Sequence, residues 1–191
     1  MISQHRIAIH VLGIALINLP VTASAQDSGF RFLATGDLPY SAKQDGEYRR
    51  LLKQSEDEDF EFLMHVGDFK AQSMPCSDDE FEKIRDLFRA YPKPVVYTPG
   101  DNEWTDCHGV GADPIERLAK VRELFFKDRK TLRLGTLKIV QQNRDPKFAT
   151  YVDNYRFSKA GVLFIVVHVV GSGNNLRPND PPSVKEFTSR T

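Results

Sequence analysis

Three apolar runs in the first half of the chain run into the same dipeptide. Phe30–Thr35 leads to Gly36-Asp37, Phe60–Val66 to Gly67-Asp68, and Pro94–Thr98 through Pro99 to Gly100-Asp101. Each run is strand-sized. The stretches that follow them carry apolar residues at helical spacing: Tyr48, Leu51 and Leu52 within Asp45–Glu58, Phe81, Ile84, Leu87 and Phe88 within Ser77–Ala90, and Leu118, Val121, Leu124 and Phe125 within Pro114–Lys127. Ser77 with Glu80 three residues on is a capping box, and Asp113 before Pro114 is a second helix start. Strand and helix thus alternate three times, which predicts an α/β layered domain.

A single Gly-Asp pair is an ordinary turn, because aspartate favours turns and helix caps. Three at successive strand ends carry more information. In open α/β sheets ligands bind beyond the carboxyl ends of the strands, and this pattern delivers an aspartate there three times. Glycine lets the backbone turn sharply and approach a ligand closely. Carboxylates gathered without a cation repel one another and resist ionisation. A pair of metal ions would relieve that repulsion.

The remainder reads as more strand. Thr136–Gln141 is one candidate, and Phe148–Phe157 and Val162–Val170 form a hairpin around Lys159-Ala160-Gly161, which predicts a mixed sheet. The tail from Gly171 to Thr191 reads as loop, with a helix start at Ser183. His65, inside an apolar run, reads as a hydrogen-bonded core residue, Trp104 as a packing anchor or cleft wall, and Asp106 as a turn residue.

The first 25 residues have the layout of a secretory leader: Arg6, the apolar run Ile7–Val21, and the A-x-A site Ala23-Ser24-Ala25 before Gln26. Export predicts a secreted or periplasmic protein with no membrane segment once the leader is cleaved. The chain has 26 basic and 26 acidic side chains, so losing Arg6 leaves a net charge of about −1. That balance gives no basic surface for nucleic acid. Two cysteines, Cys76 and Cys107, in an exported chain predict a disulfide. It would close a loop of about 30 residues, worth roughly 3–4 kcal/mol.

The succession Gly36-Asp37, Gly67-Asp68, Gly100-Asp101-Asn102, with Tyr155-Arg156-Phe157 and the strand after it, resembles the calcineurin-like metallophosphoesterases, which include the purple acid phosphatases. The resemblance covers roughly Phe30 to Val170. It implies an α/β sandwich of mixed sheets, with the second sheet incomplete here, and a site for two divalent or trivalent metal ions (Mn, Fe, Zn or Mg). The substrate it implies is a small-molecule phosphoester. Asp37 resembles the first ligand, Asp68 the carboxylate that bridges both metals, and Asn102 the amide ligand of the second metal. Two metals about 3.5–4 Å apart can bind a phosphate ester, activate a water and stabilise the leaving oxygen.

The chain also departs from that pattern. Pro39 stands where the family has a histidine, with Tyr40 next to it as a candidate ligand. Glu103 stands at the position of the histidine that assists the leaving group, where a carboxylic acid of raised pKa could act as general acid. His108 is the alternative for that role. The family's Gly-His-x-His is missing, which leaves His168 as a further candidate ligand and suggests a truncated or reduced relative. Two functional expectations follow. One is an exported metal-dependent phosphoester hydrolase, and the other is a degenerate member that binds metal or phosphate weakly without turnover.

Overall fold

A computed structural model describes residues 29–190 of the chain. The leader expected over residues 1–25 lies outside them. Among the described residues no helix is long and apolar enough to cross a membrane.

The alternation predicted from periodicity is present. β1 (Leu33–Thr35), α1 (Ala42–Ser55), β2 (Leu63–His65), α2 (Asp78–Ala90), β3 (Val95–Tyr97) and α3 (Pro114–Phe126) follow in order. The three strands form a parallel sheet, β1-β2-β3, with Thr35 opposite His65 and His65 opposite Tyr97. Parallel neighbours need a crossover between them, which α1 and α2 supply. All three Gly-Asp pairs therefore leave one end of one sheet. Ser77 Oγ accepts from Glu80 N at 3.4 Å, and Asp113 Oδ1 accepts from Ile115 N at 2.8 Å, so both predicted caps form. α1 begins earlier than the expected Asp45, because Ser41 Oγ accepts from Gln44 N at 3.2 Å and caps the helix there.

The core is largely aromatic. On one face of the sheet His65 and Tyr97 meet Tyr48 of α1, Phe88 of α2 and Phe125 of α3, with Tyr97 and Phe125 centroids 4.9 Å apart. Phe62, just before β2, meets Phe157 at 5.5 Å and Phe164 at 5.4 Å, both edge-on. Edge-to-face pairs of this kind add about 0.5–1.5 kcal/mol each beyond their buried area.

The second half differs from expectation in three ways. First, the sheet is not one mixed sheet: β4 (Val140–Gln141), β5 (Tyr155–Lys159) and β6 (Val162–Val166) form a separate antiparallel sheet. The free edge of β3 is met by a side chain instead of a strand. Tyr155 OH accepts from Tyr97 N at 2.9 Å and donates to Tyr97 O at 3.0 Å. Second, the strands are shorter than the apolar runs. Asp145 caps a 3₁₀ turn at Pro146–Phe148, and another 3₁₀ turn occupies Leu134–Leu137, so β5 starts at Tyr155 and β4 at Val140. Third, the helix expected to start at Ser183 begins two residues earlier, as α4 (Pro181–Arg190), whose first turn accommodates two prolines. Its packing is specific, with Arg190 over the Trp104 ring at 4.8 Å.

The hairpin at Ala160-Gly161 forms as predicted, both residues having positive φ (47° and 79°), the backbone that matches strand twist in two-residue turns. Cys76 and Cys107 are bonded, 31 residues apart in sequence. Replacing both with serine should lower the unfolding free energy by about 3–4 kcal/mol, the loop-closure contribution. Urea titration would read this as a lower midpoint, and an unchanged midpoint would mean that the bridge adds nothing to the folded state.

Candidate functional site

The three corners touch through their backbones. Asp37 N donates to Gly67 O at 3.1 Å. A Cβ placed on Gly67 would lie 2.2 Å from Gly100 N, and one on Gly100 would lie 2.2 Å from Asp68 Oδ1. Neither position tolerates a side chain, which is the physical reason for glycine before each aspartate here. Asp37 and Asp68 both have left-handed backbones, φ 56° and 57°. Aspartate tolerates that region better than most residues, so the first two corners share one local geometry.

This backbone gathers the expected polar side chains. Asp37 Oδ1 accepts from Tyr40 OH at 3.1 Å, and Tyr40 OH accepts from Asn102 Nδ2 at 3.1 Å. Asp68 Oδ1 accepts from the Asn102 backbone N at 2.9 Å. Asp101, next to Asn102 in sequence, stands at the same corner. Asp101 Oδ2 in turn accepts from Ser172 Oγ, just beyond β6, at 3.0 Å. Asp37, Tyr40, Asp68, Asp101 and Asn102 are thus contiguous. Burial raises the Asp68 carboxyl above its ordinary range, and the charges of Asp101 and Asp37 push the same way. Tyr40 is raised as well, by burial, by its bond to Asp37 and by the charges of Asp68 and Asp37. In both, burial acts first and the neighbouring negative charge adds to it.

Among the described residues no group of three or more His, Cys, Asp or Glu side chains is placed to hold a metal ion. The donors at the corners are a mixed oxygen set: carboxylates, one amide and one phenol. Hard oxygen donors of this kind suit Mg, Mn or Ca-type cations better than soft ones.

The other candidates lie elsewhere or do other work. Glu103 is fully buried and faces backbone. It accepts from Gly100 N at 2.8 Å, Asp68 N at 3.0 Å and Tyr97 OH at 2.8 Å. Burial, added to by the Asp68 charge, raises its pKa to about 7 against those three donors. Its position is that of a clamp between the second and third corners. His108 is exposed in the 3₁₀ turn Thr105–Val110 and bonds Thr105 O at 2.8 Å. His168 is buried, its Nδ1 2.6 Å from Asp153 Oδ2, and Arg122 holds both oxygens of the same carboxylate at 3.1 and 3.2 Å. Trp104 packs edge-on against the His168 ring at 5.4 Å.

His65 is fully buried, as its apolar run predicts, and links two corners. Its Nε2 bonds Leu38 O at 3.2 Å, and its Nδ1 accepts from Gly67 N at 3.2 Å. The neutral ring satisfies both, with the proton on Nε2. Burial lowers its pKa to about 4. Lys70, also buried, donates to Asn102 O at 2.8 Å and Ala71 O at 3.0 Å.

Sequence reasoning did not single out Asp101, Lys70, Ser172 or the Arg122–Asp153 pair. Asp101 was available, as the third member of the repeat. Ser172 lies 71 positions from its partner and Arg122 lies 31 from Asp153, so no local pattern marks either. Comparison with protein-family models finds no match, and comparison with curated proteins and with solved structures finds no significant one.

Two measurements test the corner clamps. His65 has a folded pKa below its ordinary 6.5. The unfolded chain therefore takes up a proton that the folded chain refuses, and stability is full above about pH 6.5 and falls as pH drops toward 4, by about 3 kcal/mol. Urea midpoints from pH 4 to 7 should show that slope in the parent and a flattened one in His65→Gln. Glu103→Ala leaves three donors without their acceptor and should cost about 3 kcal/mol or more. A Glu103→Ala variant of parental stability would remove the clamp and leave Glu103 free for a chemical role.

Proposed function

We propose that the three corners form the cation site of a metal-dependent phosphoester hydrolase that is exported from the cell. The observation that carries this reading is the convergence of Asp37, Asp68, Asp101 and Asn102 at one end of the parallel sheet, linked through Tyr40 and the Asn102 backbone. Carboxylates brought this close resist ionisation together unless a cation compensates them. Gathering them here has a physical rationale if a hard cation sits among them. Asp37 and Asn102 would hold separate ions and Asp68 would lie between them, with Tyr40 and Asp101 at the flanks.

When bound, such ions supply a polarised phosphoryl oxygen and an activated water. The chain's own contribution is placement. The Gly67–Gly100 contact brings Asp68 against the third corner. Asn102 is fixed from behind by Lys70 and beside Asp68 by its own N–H. Glu103 holds the backbone of both corners. The sandwich architecture of the resembling family belongs to the same proposal. The two sheets, one parallel and one antiparallel, joined by the Phe62–Phe157–Phe164 cluster, are compatible with it.

A second reading is favoured by one observation: both buried histidines are already engaged within the protein. His65 is bonded to Leu38 O and Gly67 N, and His168 Nδ1 to Asp153. Without imidazole ligands the site would bind a metal or phosphate weakly and turn nothing over.

Metal content per folded chain separates the two, followed by hydrolysis of p-nitrophenyl phosphate with added Mn, Mg or Zn. The hydrolase reading expects close to two ions per chain and turnover. Asp68→Asn should lower turnover by about a hundredfold or more, the scale of removing a group that acts mainly in the transition state. Weak metal uptake with no turnover supports the second reading. No uptake and no turnover by folded chain ends both.

A further inference from the structure

We propose that the Cys76–Cys107 bond sets the cation site, so that the corners bind metal tightly only in the oxidised chain. This inference rests on the reading of the corners as a cation site. The bond joins the loop that leaves the second corner to the loop that leaves the third.

Bridge and candidate site meet at one residue. The sulfurs of Cys76 and Cys107 lie 3.9 and 3.7 Å from Asn102 O. Lys70 Nζ donates to the same oxygen at 2.8 Å and to Ala71 O at 3.0 Å. On its other side Asn102 faces the site. Its N–H reaches Asp68 Oδ1 at 2.9 Å, and its Nδ2 reaches Tyr40 OH at 3.1 Å.

Both ends of the bridge are anchored. Arg117 Nη1 of α3 donates to Cys76 O at 3.0 Å and to Asp78 Oδ1 at 2.7 Å. Cys107 N donates to Trp104 O at 3.1 Å, and Cys107 O accepts from Ala112 N at 3.0 Å. Cys107 is fully buried and Cys76 is 7 % exposed. Two thiols do not fit where packing this close holds one bond. Unbonded sulfurs stand at van der Waals separation, so one of the loops must give. The loop that carries Cys107 also carries Asn102. The parallel sheet has its own hydrogen-bonded pairing. The reduced chain therefore keeps the sheet and loses the fixed position of Asn102.

Forming the bond is a two-electron oxidation. The two thiols give up two protons and two electrons, and an oxidant of the disulfide class takes them up and leaves as two thiols. Such bonds form and persist in oxidising compartments, so the site becomes competent there. Exchange needs access to a sulfur. Burial closes this bond to reductants once the chain is folded, which makes it a one-time setting and not a reversible sensor.

The test compares the full chain refolded oxidised with the full chain refolded under nitrogen with both cysteines reduced, each checked for folding by circular dichroism. Binding of Mn alone is titrated by electron paramagnetic resonance, and amide exchange is followed in the metal-free chain. The reduced chain should bind Mn about tenfold to a hundredfold more weakly, the range for losing the support behind a metal ligand. Its Asn102 amide should also exchange faster. The double variant Cys76→Ser, Cys107→Ser should behave as the reduced chain does. Leu134→Ala removes a buried side chain from the core, which destabilises the fold, and should leave Mn affinity unchanged. Equal Mn affinity in the oxidised and reduced chains overturns this inference alone, as does equal exchange at Asn102. A loss of affinity in Leu134→Ala as large as in the double variant, or a reduced chain that does not fold, also overturns it, because the bridge is then a general staple. An oxidised chain that folds and binds no Mn overturns the cation reading itself, and this inference with it.

Discussion

The close approach of Gly67 to Gly100 is the contact on which the organised end of this molecule depends. The two turns meet with no room for a Cβ on either, so β2 and β3 can end side by side and still turn sharply. Everything polar nearby is arranged around that contact. Glu103 reaches across it to the N–H groups of Asp68 and Gly100, and His65 ties Gly67 back to Leu38 of the first corner. These are buried groups, and their hydrogen bonds count mainly because leaving them unmade is expensive. The corners are therefore held by satisfied backbone rather than by the acidic side chains, which repel one another. A site that must keep like charges together needs that kind of independent support.

The third corner has a second layer behind it. Lys70 donates to the Asn102 carbonyl, and the sulfurs of Cys76 and Cys107 lie 3.9 and 3.7 Å from the same oxygen. The disulfide thus sits directly beneath the residue expected to face a cation. Arg117 extends the brace, bonding Cys76 O at 3.0 Å and Asp78 at 2.7 Å. A covalent link between the loops after the second and third corners limits how far Asn102 can drift from Asp68, and placement to about 0.5 Å is what such sites require. Stability and function share this one feature.

The organisation of the first half could be read from sequence because its signals are local. Helical periodicity, the caps at Ser77 and Asp113, and the Gly-Asp repeat each lie within a few residues of what they specify. The bridge between Cys76 and Cys107 needed only two cysteines and the expectation of export. The second half was harder for physical reasons. Apolar runs such as Val162–Val170 specify that something is extended, but not where pairing stops, and Asp145 capping a 3₁₀ turn shortened a neighbouring strand. Whether the hairpin joined the first sheet depended on Tyr155 reaching Tyr97 across 58 residues, a contact with no local signature. The same holds for Glu103. Its position in the Gly-Asp-Asn-Glu run suggested chemistry, and only its three donors identify it as a clamp. Asp101 was legible as the third aspartate of the repeat, but its partner Ser172 has no local signature.

The two halves manage exposed polar and apolar groups in opposite ways. At the corners, charge is crowded but the N–H groups of Asp37, Gly67, Asp68 and Gly100 are all paired. At β6, the charge is absent and the backbone of the outer edge is free. Burial of Asp153 marks the seam between them. Its carboxyl would be driven up by burial alone, yet the His168 bond and Arg122 hold it below the ordinary range. A buried carboxylate kept ionised in this way ties α3, which carries Arg122, to the segment after β6, which carries His168. That tie brings Ser172 up to Asp101. The acidic end of the parallel sheet is therefore coupled, through one buried ion pair, to the strand whose far edge stands open.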